Sequence, residues 1–161
     1  MTHRHGFGVW WAMQPNSWSA PVPATPEQRD AILGLLERSA LPLVGVEEHL
    51  PDFLVSENAG RVVGVVGLER YGADALLRSL AVDRTCRATG LGTRLTDDLI
   101  ARGRSAGVRR LYLLTTTAEQ FFARRGFVRI TRADVPPSVR TSVEFREACP
   151  ESATVMVRSL D

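Results

Sequence analysis

The chain has no lysine: all 20 of its basic residues are arginine, spread along 161 residues. That excludes Schiff-base chemistry on the enzyme and any phosphate loop that depends on a lysine. It has only two cysteines, Cys86 and Cys149, far apart and in no C-x-x-C, which suggests neither a redox pair nor a zinc site. No metal is expected, and the setting reads as reducing and cytoplasmic. No apolar run reaches membrane-spanning length, so no membrane partner is expected. The net charge is only +2, too little for a nucleic-acid surface. What remains, at 44% hydrophobic and 24% charged, is one globular domain with enough chain for a real core.

The most informative stretch is Leu76–Gly92, L-L-R-S-L-A-V-D-R-T-C-R-A-T-G-L-G. Leu76 to Val82 has the apolar, β-branched character of a buried strand. A polar loop follows, ending in Gly90-Leu91-Gly92. From Thr93 to Ala106 the pattern predicts a helix, with Leu91, Leu95 and Leu99 four apart. A strand, a glycine loop and a helix N-terminus make a good anion seat, because the first-turn N–H groups lack intrahelical partners. Gly90 and Gly92 also lack side chains that would hold a pyrophosphate off the backbone. A Rossmann site is a poor fit, since a third glycine and an acid at the end of the next strand are missing; that strand ends in Thr115-Thr116-Thr117.

Residues 1–24 differ in kind, holding all three tryptophans, two of three histidines and several prolines. They are expected to form a flexible extension ahead of a single domain over 25–161. In that domain Thr25-Pro26-Glu27 predicts a helix start, with Gln28 placed for a capping box. A second short helical piece is expected over Val44–His49. Strands are predicted at Phe53–Glu57 and Arg61–Tyr71, joined by the Asn58-Ala59-Gly60 turn, with Gly64 and Gly67 marking a bulge or a close approach. Beyond the glycine-loop helix come a strand over Arg110–Thr115, a helix over Ala118–Arg125, a strand over Phe127–Thr131 and a last one over Ala153–Leu160. The order predicts an α/β (α+β) fold: a mixed, mostly antiparallel twisted sheet with helices on both faces.

Arg87-Ala88-Thr89-Gly90-Leu91-Gly92 fits R-x-x-G-x-G after a strand ending L-A-V-D, and so resembles the acyl-CoA pyrophosphate loop of the GNAT superfamily of N-acetyltransferases. Thr117–Phe127 is similar to the family helix that packs beside the cofactor thiol. Within the family, L-L-R-S-L-A-V, Y-L-L-T-T-T-A, T-x-x-E-F and C-P-x-S-A-x-V-M resemble the group found in bacterial arsenic-resistance operons. The resemblance implies a splayed central strand pair and acetyl-CoA as cosubstrate. It implies acetyl transfer to the amine of a small molecule, with a role in arsenic resistance, by a monomer or homodimer. It places the cofactor against Leu80, Ala81 and Val82, against Arg87, Ala88, Thr89, Gly90, Leu91, Gly92 and Thr93, and against Thr115 and Phe122. Phe122 stands where many family members have a proton-donating tyrosine. A phenyl ring cannot donate, which leaves open a non-catalytic acyl-CoA-binding module. An arsenic-binding module using Cys149 is a further alternative.

The remaining site residues are expectations of chemistry. Glu69 is the expected general base, with an exposed strand-end glutamate as the bland alternative. Tyr112 is an expected proton donor, against a half-buried strand tyrosine. Arg78 lies in an otherwise apolar strand, where an unpaired charge is costly. It either pairs inside the fold or binds an anionic group of the substrate. Glu47, Glu48 and His49 either shape the acceptor pocket or form a solvated helix face.

Overall fold

The computed structural model describes residues 17–148 and 150–161. Among them is a seven-stranded sheet built from β1 (Val22–Pro23), β2 (Phe53–Asn58), β3 (Arg61–Tyr71), β4 (Asp74–Val82), β5 (Arg110–Thr115), β6 (Val128–Ile130) and β7 (Thr154–Ser159). Their spatial order is β1-β2-β3-β4-β5-β7-β6. Every neighbouring pair is antiparallel except β4–β5, which is parallel and needs a crossover. The helices are α1 (Arg29–Arg38), α2 (Val46–His49), α3 (Leu91–Ser105), α4 (Glu119–Arg124) and α5 (Pro137–Arg140), and α3 makes that crossover. A π-helical turn covers Glu144–Ala148.

The crossover helix owes its seat to the leucine stripe: Leu91, Leu95 and Leu99 are each no more than 1% exposed. They share a cluster with Val63, Val66 and Leu68 of β3, Leu77 of β4, and Phe122 and Phe127. Burying one such leucine contributes about 1.5–3 kcal/mol. Gly64 lets the helix come this close, since a Cβ there would lie 2.8 Å from Leu91. Gly67 serves the opposite face, where a Cβ would fall 2.3 Å from the Phe53 ring. The β3–β4 register shifts between Val65 and Gly67, so the expected bulge and the expected close approach coexist here.

On that opposite face α1 and α2 cover one cluster, with Ile32, Leu35 and Val46 against Phe53 and Val65. A second cluster joins Leu76, Tyr112 and Val155 to Val139 of α5. The expected start of the first helix is present, with Gln28 accepting from the Thr25 backbone N–H at 2.9 Å, but its first turn is a 3-10 helix, Pro26–Gln28.

The expectation of a flexible extension through residue 24 needs correction over residues 17–24. The Ser19 N–H donates to Glu57 O at 2.8 Å, the Ala24 N–H donates to Phe53 O at 2.8 Å, and Val22 and Pro23 pair with β2. The segment covers the edge of the sheet, and prolines are tolerated there because an edge strand has one side that needs no donor. The rest of the expected extension, residues 1–16, lies outside the described residues. No helix among the described residues is long and apolar enough to cross a membrane.

Candidate active site

The parallel pair β4–β5 is joined only at Asp74–Arg110, Ala75–Leu111 and Leu76–Tyr112. Beyond Leu76 the strands part. β4 continues to Val82 against β3, and β5 continues to Thr115 against β7. Between them lies a cavity of about 430 Å³, lined by Leu77, Arg78, Ser79 and Leu80 on one side and by residues 113–117 on the other. Phe122 of α4, Pro42, Glu144 and Pro150 complete the lining. Ser79 has a positive φ of 62°, so the β4 backbone is twisted where it faces the opening.

The glycine loop adjoins this cleft. Gly90, at φ 89°, caps α3 in the left-handed region, and Ala88 is also left-handed at φ 61°. Asp83 supports the approach to the loop, its carboxylate accepting from the N–H and hydroxyl of Thr85 at 3.0 and 2.7 Å. Burial pushes the Asp83 carboxyl up, but the two Thr85 bonds and the nearby Arg61 and Arg38 outweigh it and hold it below the usual carboxylate range. A Cβ on Gly92 would lie 3.8 Å from the Phe121 ring, and Phe121 stacks edge-on against Phe122 at 5.1 Å. The α3 N-terminus therefore continues into the cavity through α4. Thr115 lines the cavity, and its hydroxyl accepts from the Ala118 N–H at 2.9 Å, which turns the chain into α4. Leu80 lines the cavity and, with Val82, packs against the cluster under α3, whereas Ala81 belongs to the cluster on the other face.

Of the three residues expected to do acceptor chemistry, Glu69 and Arg78 meet each other and Tyr112 stands apart. Tyr112 lies three residues from Thr115, about 10 Å along the strand, and packs with Leu76, Val135, Val139 and Val155 instead. It does not line the cavity, and burial raises its phenol pKa. Glu69 is 1% exposed and accepts from the Tyr71 hydroxyl at 2.5 Å and from Arg78 Nη1 at 2.8 Å. Burial pushes its carboxyl up, but bonds from Tyr71, Arg78 and Ser142, with the nearby His49, hold it below the usual range. A carboxylate so fully occupied is a poor base, and the bland alternative of an exposed strand-end residue also fails. Tyr71 answers in the other direction: burial, then its bond to Glu69, pushes its phenol up to about 12.

Arg78 does border the cavity, but its side chain is 0% exposed and each of its three nitrogens has a partner inside the fold. Besides Glu69, its Nε donates to Ser79 Oγ at 3.0 Å and lies 3.5 Å from Glu144. Its Nη2 donates to Val44 O at 2.8 Å. Gly45 makes this closure feasible, because a Cβ there would sit 2.9 Å from Nη1. Of the two expectations, the internal pairing is the one the geometry displays. Arg78 ties the 42–45 loop and Glu144, two parts of one cavity wall, to the central strand.

Glu47 pairs with Arg29 at 2.7 Å, and His49 lies 3.7 Å from Glu69; neither lines the cavity. Glu144 is the residue that sequence reasoning missed. It is 4% exposed and the one carboxylate bordering the cavity among the described residues. Its signal was the T-x-x-E-F stretch, which carried a resemblance but no role. Cys149 lies outside the described residues, and no group of three metal-ligating side chains occurs among them.

A glycine loop at a crossover helix, opening into a cleft between two parting parallel strands, is the build of an acyl-CoA-dependent transferase. Residues 49–129 match the acetyltransferase (GNAT) domain model, and the chain belongs to that family. It is 34% identical over 117 residues to an amino-acid acetyltransferase of Ralstonia nicotianae, covering 71% of this chain but 25% of that protein. An amino-acid acetyltransferase of Mycobacterium tuberculosis is 33% identical over 137 residues, 81% of this chain and 74% of the relative. Among solved structures, N-acetylglutamate synthase from Neisseria gonorrhoeae with coenzyme A and N-acetyl-glutamate superposes with a TM-score of 0.77 at 25% identity. That match covers 89% of this chain and 35% of the other. The chain thus spans about a quarter of the first of these relatives and about a third of the solved synthase.

Proposed function

We propose that the protein transfers the acetyl group of acetyl-CoA to the amine of a small, amino-acid-like molecule. The observation that carries this is the parting of β4 from β5 beyond Leu76, which opens a cavity beside a glycine-capped helix. In this proposal the pyrophosphate rests on Arg87, Ala88, Thr89, Gly90, Leu91, Gly92 and Thr93. The pantetheine arm runs past Thr115 and Phe122, and the thioester carbonyl meets backbone N–H groups near Leu80, Ala81 and Val82.

The amine attacks the thioester carbon, and the tetrahedral oxyanion is held by those N–H groups. One such donor contributes about 2.7–4 kcal/mol to the transition state. The acceptor ammonium must first lose a proton. Glu144 borders the cavity and Glu69 does not, so Glu144 is the better placed to take it. The carbonyl then reforms as the C–S bond breaks, and the second nitrogen proton passes to the departing thiolate or to water. With a thiol pKa of about 8.5 the thiolate is a tolerable leaving group without a side-chain acid.

Two relatives named amino-acid acetyltransferases support the acceptor class. The operon-group motifs extend it to amino acids that carry an arsonate or phosphinate, with a role in arsenic resistance. A cytoplasmic setting, expected from the sparse cysteines, fits the supply of acetyl-CoA.

The test is thiol release from acetyl-CoA with a panel of α-amino acids, their arsonate and phosphinate analogues, and simple amines. Turnover with an amino-acid-like amine is expected. Tight acetyl-CoA binding without turnover on any amine would favour the acyl-CoA-binding module instead.

The leaving-group argument gives a separate expectation. Phe122→Tyr should leave kcat unchanged or raise it by up to about tenfold, since general acids help only where departure is difficult. Tyr112→Phe should leave kcat within about twofold, a change under half a kcal/mol. A large loss in Tyr112→Phe at unchanged melting temperature would return Tyr112 to the site.

A further inference from the structure

We propose that Trp18 is a positioning residue of the cofactor loop, so that the edge segment 17–24 forms part of the acetyl-CoA site. The proposal rests on Arg87–Thr93 being the pyrophosphate loop.

Trp18 Nε1 donates to Thr89 Oγ1 at 3.0 Å, across 71 positions of sequence. Thr89 Oγ1 in turn donates to Cys86 O at 2.5 Å. An indole has one polar hydrogen and a hydroxyl has one, so each single donor is committed. Thr89 sits between Ala88 at φ 61° and Gly90 at φ 89°, two consecutive departures into the left-handed region around one residue. L-residues rarely adopt this conformation, and such a turn persists only where its surroundings impose it. Between Ala88 and Gly90 the side chain available to impose it is that of Thr89. Its partner is not local but comes from the far edge of the sheet.

The partner is itself anchored. Ser19, next to Trp18, bonds Glu57 twice, through backbone N–H to O at 2.8 Å and through Glu57 N–H to Ser19 Oγ at 2.9 Å. The indole packs on the cluster that includes Leu91 and Leu95 of α3. It therefore bonds the loop that leads into α3 and packs on the cluster in which that helix is seated. In this role Trp18 acts on the cofactor through Thr89.

Linkage makes the effect reciprocal: if Trp18 favours the binding shape, acetyl-CoA must favour the docked segment equally. The readout is acetyl-CoA affinity by calorimetry on the full chain, with melting temperatures of each variant. Trp18→Phe keeps the packing ring and deletes the donor. Its Kd for acetyl-CoA should rise about threefold to tenfold, the range of one net hydrogen bond. Thr89→Val should weaken binding too. The double variant should be no worse than Thr89→Val, because both substitutions remove the same bond. A Kd within twofold of the parent in Trp18→Phe, or additive losses in the double variant, would overturn the proposal. If Trp18→Phe does not fold, Trp18→Tyr enters the same cycle with the same expectation of non-additivity. Gly92→Val separates the two levels. If it binds acetyl-CoA like the parent, the loop assignment fails; if it loses binding while Trp18→Phe does not, only the role of Trp18 fails.

Discussion

Gly92→Val is expected to lose at least roughly tenfold in acetyl-CoA affinity while keeping its fold. The fold has room for the change: a Cβ on Gly92 would meet its nearest neighbours, Phe121 and Val82, at 3.8 Å, ordinary contact distance. Gly92 is the second residue of α3 and has no left-handed φ, so a side chain there carries no backbone strain. Replacing a helical glycine even improves intrinsic helix propensity. The loss therefore has to come from the ligand, whose pyrophosphate would otherwise lie against bare first-turn amides. Gly90 would be the wrong choice, since at φ 89° any substitution strains the cap itself. Calorimetry with acetyl-CoA and a melting curve decide the matter: unchanged affinity would remove the loop from the cofactor site.

Arg78→Ala is expected to cost about 3–5 kcal/mol of stability, the usual cost of leaving a buried charge without its partner. For a chain of this size that lowers the melting temperature by on the order of 10 °C. The variant removes the guanidinium from beside two buried carboxylates, Glu69 at 1% and Glu144 at 4% exposure, and frees the Val44 carbonyl that pins the neighbouring loop. Arg78→Lys should recover only part of the loss, because an ammonium cannot reproduce the fork that reaches Ser79, Glu69 and Val44 together. The pH dependence carries a definite sign. In the parent the folded Glu69 carboxyl lies below its ordinary value, so its contribution is present above that value and is lost as pH falls through the folded pKa. Without Arg78, burial acts with less opposition and the same carboxyl is pushed up. The stability gap between parent and variant should therefore be widest near neutral pH, begin to narrow as pH falls through the higher carboxyl pKa of the variant, and finish narrowing as pH falls through the lowered pKa of the parent. A variant as stable as the parent, with a weakened acceptor KM, would instead make Arg78 a substrate contact.

The local pattern of the chain determined the elements and their order. The leucines four apart that begin at Leu91, the apolar stretch within Arg61–Tyr71 and the run Arg110–Thr115 each appear in the structure within two residues of their predicted ends. So did the order that places an antiparallel hairpin before one crossover, since a parallel pair cannot be joined without one. The R-x-x-G-x-G loop was legible for a related reason: its atoms are supplied by consecutive residues, and consecutive residues are what a sequence displays.

The acceptor side was not legible, because its parts are contiguous only in space. Glu69 and Arg78 are nine positions apart and face each other across β3 and β4, so an expected base and an expected substrate contact consume one another. Glu144 reaches the same cluster from 66 positions beyond Arg78, on a turn whose periodicity announces no strand or helix. Tyr112 and Thr115 share a strand yet serve different cavities, because β5 meets β4 at one end and leaves it at the other. Trp18 read as part of a tail for the same reason: its hydrogen bond lies 71 residues away. Local propensity acts within a few residues, whereas burial and the satisfaction of buried polar groups are settled only when distant segments pack.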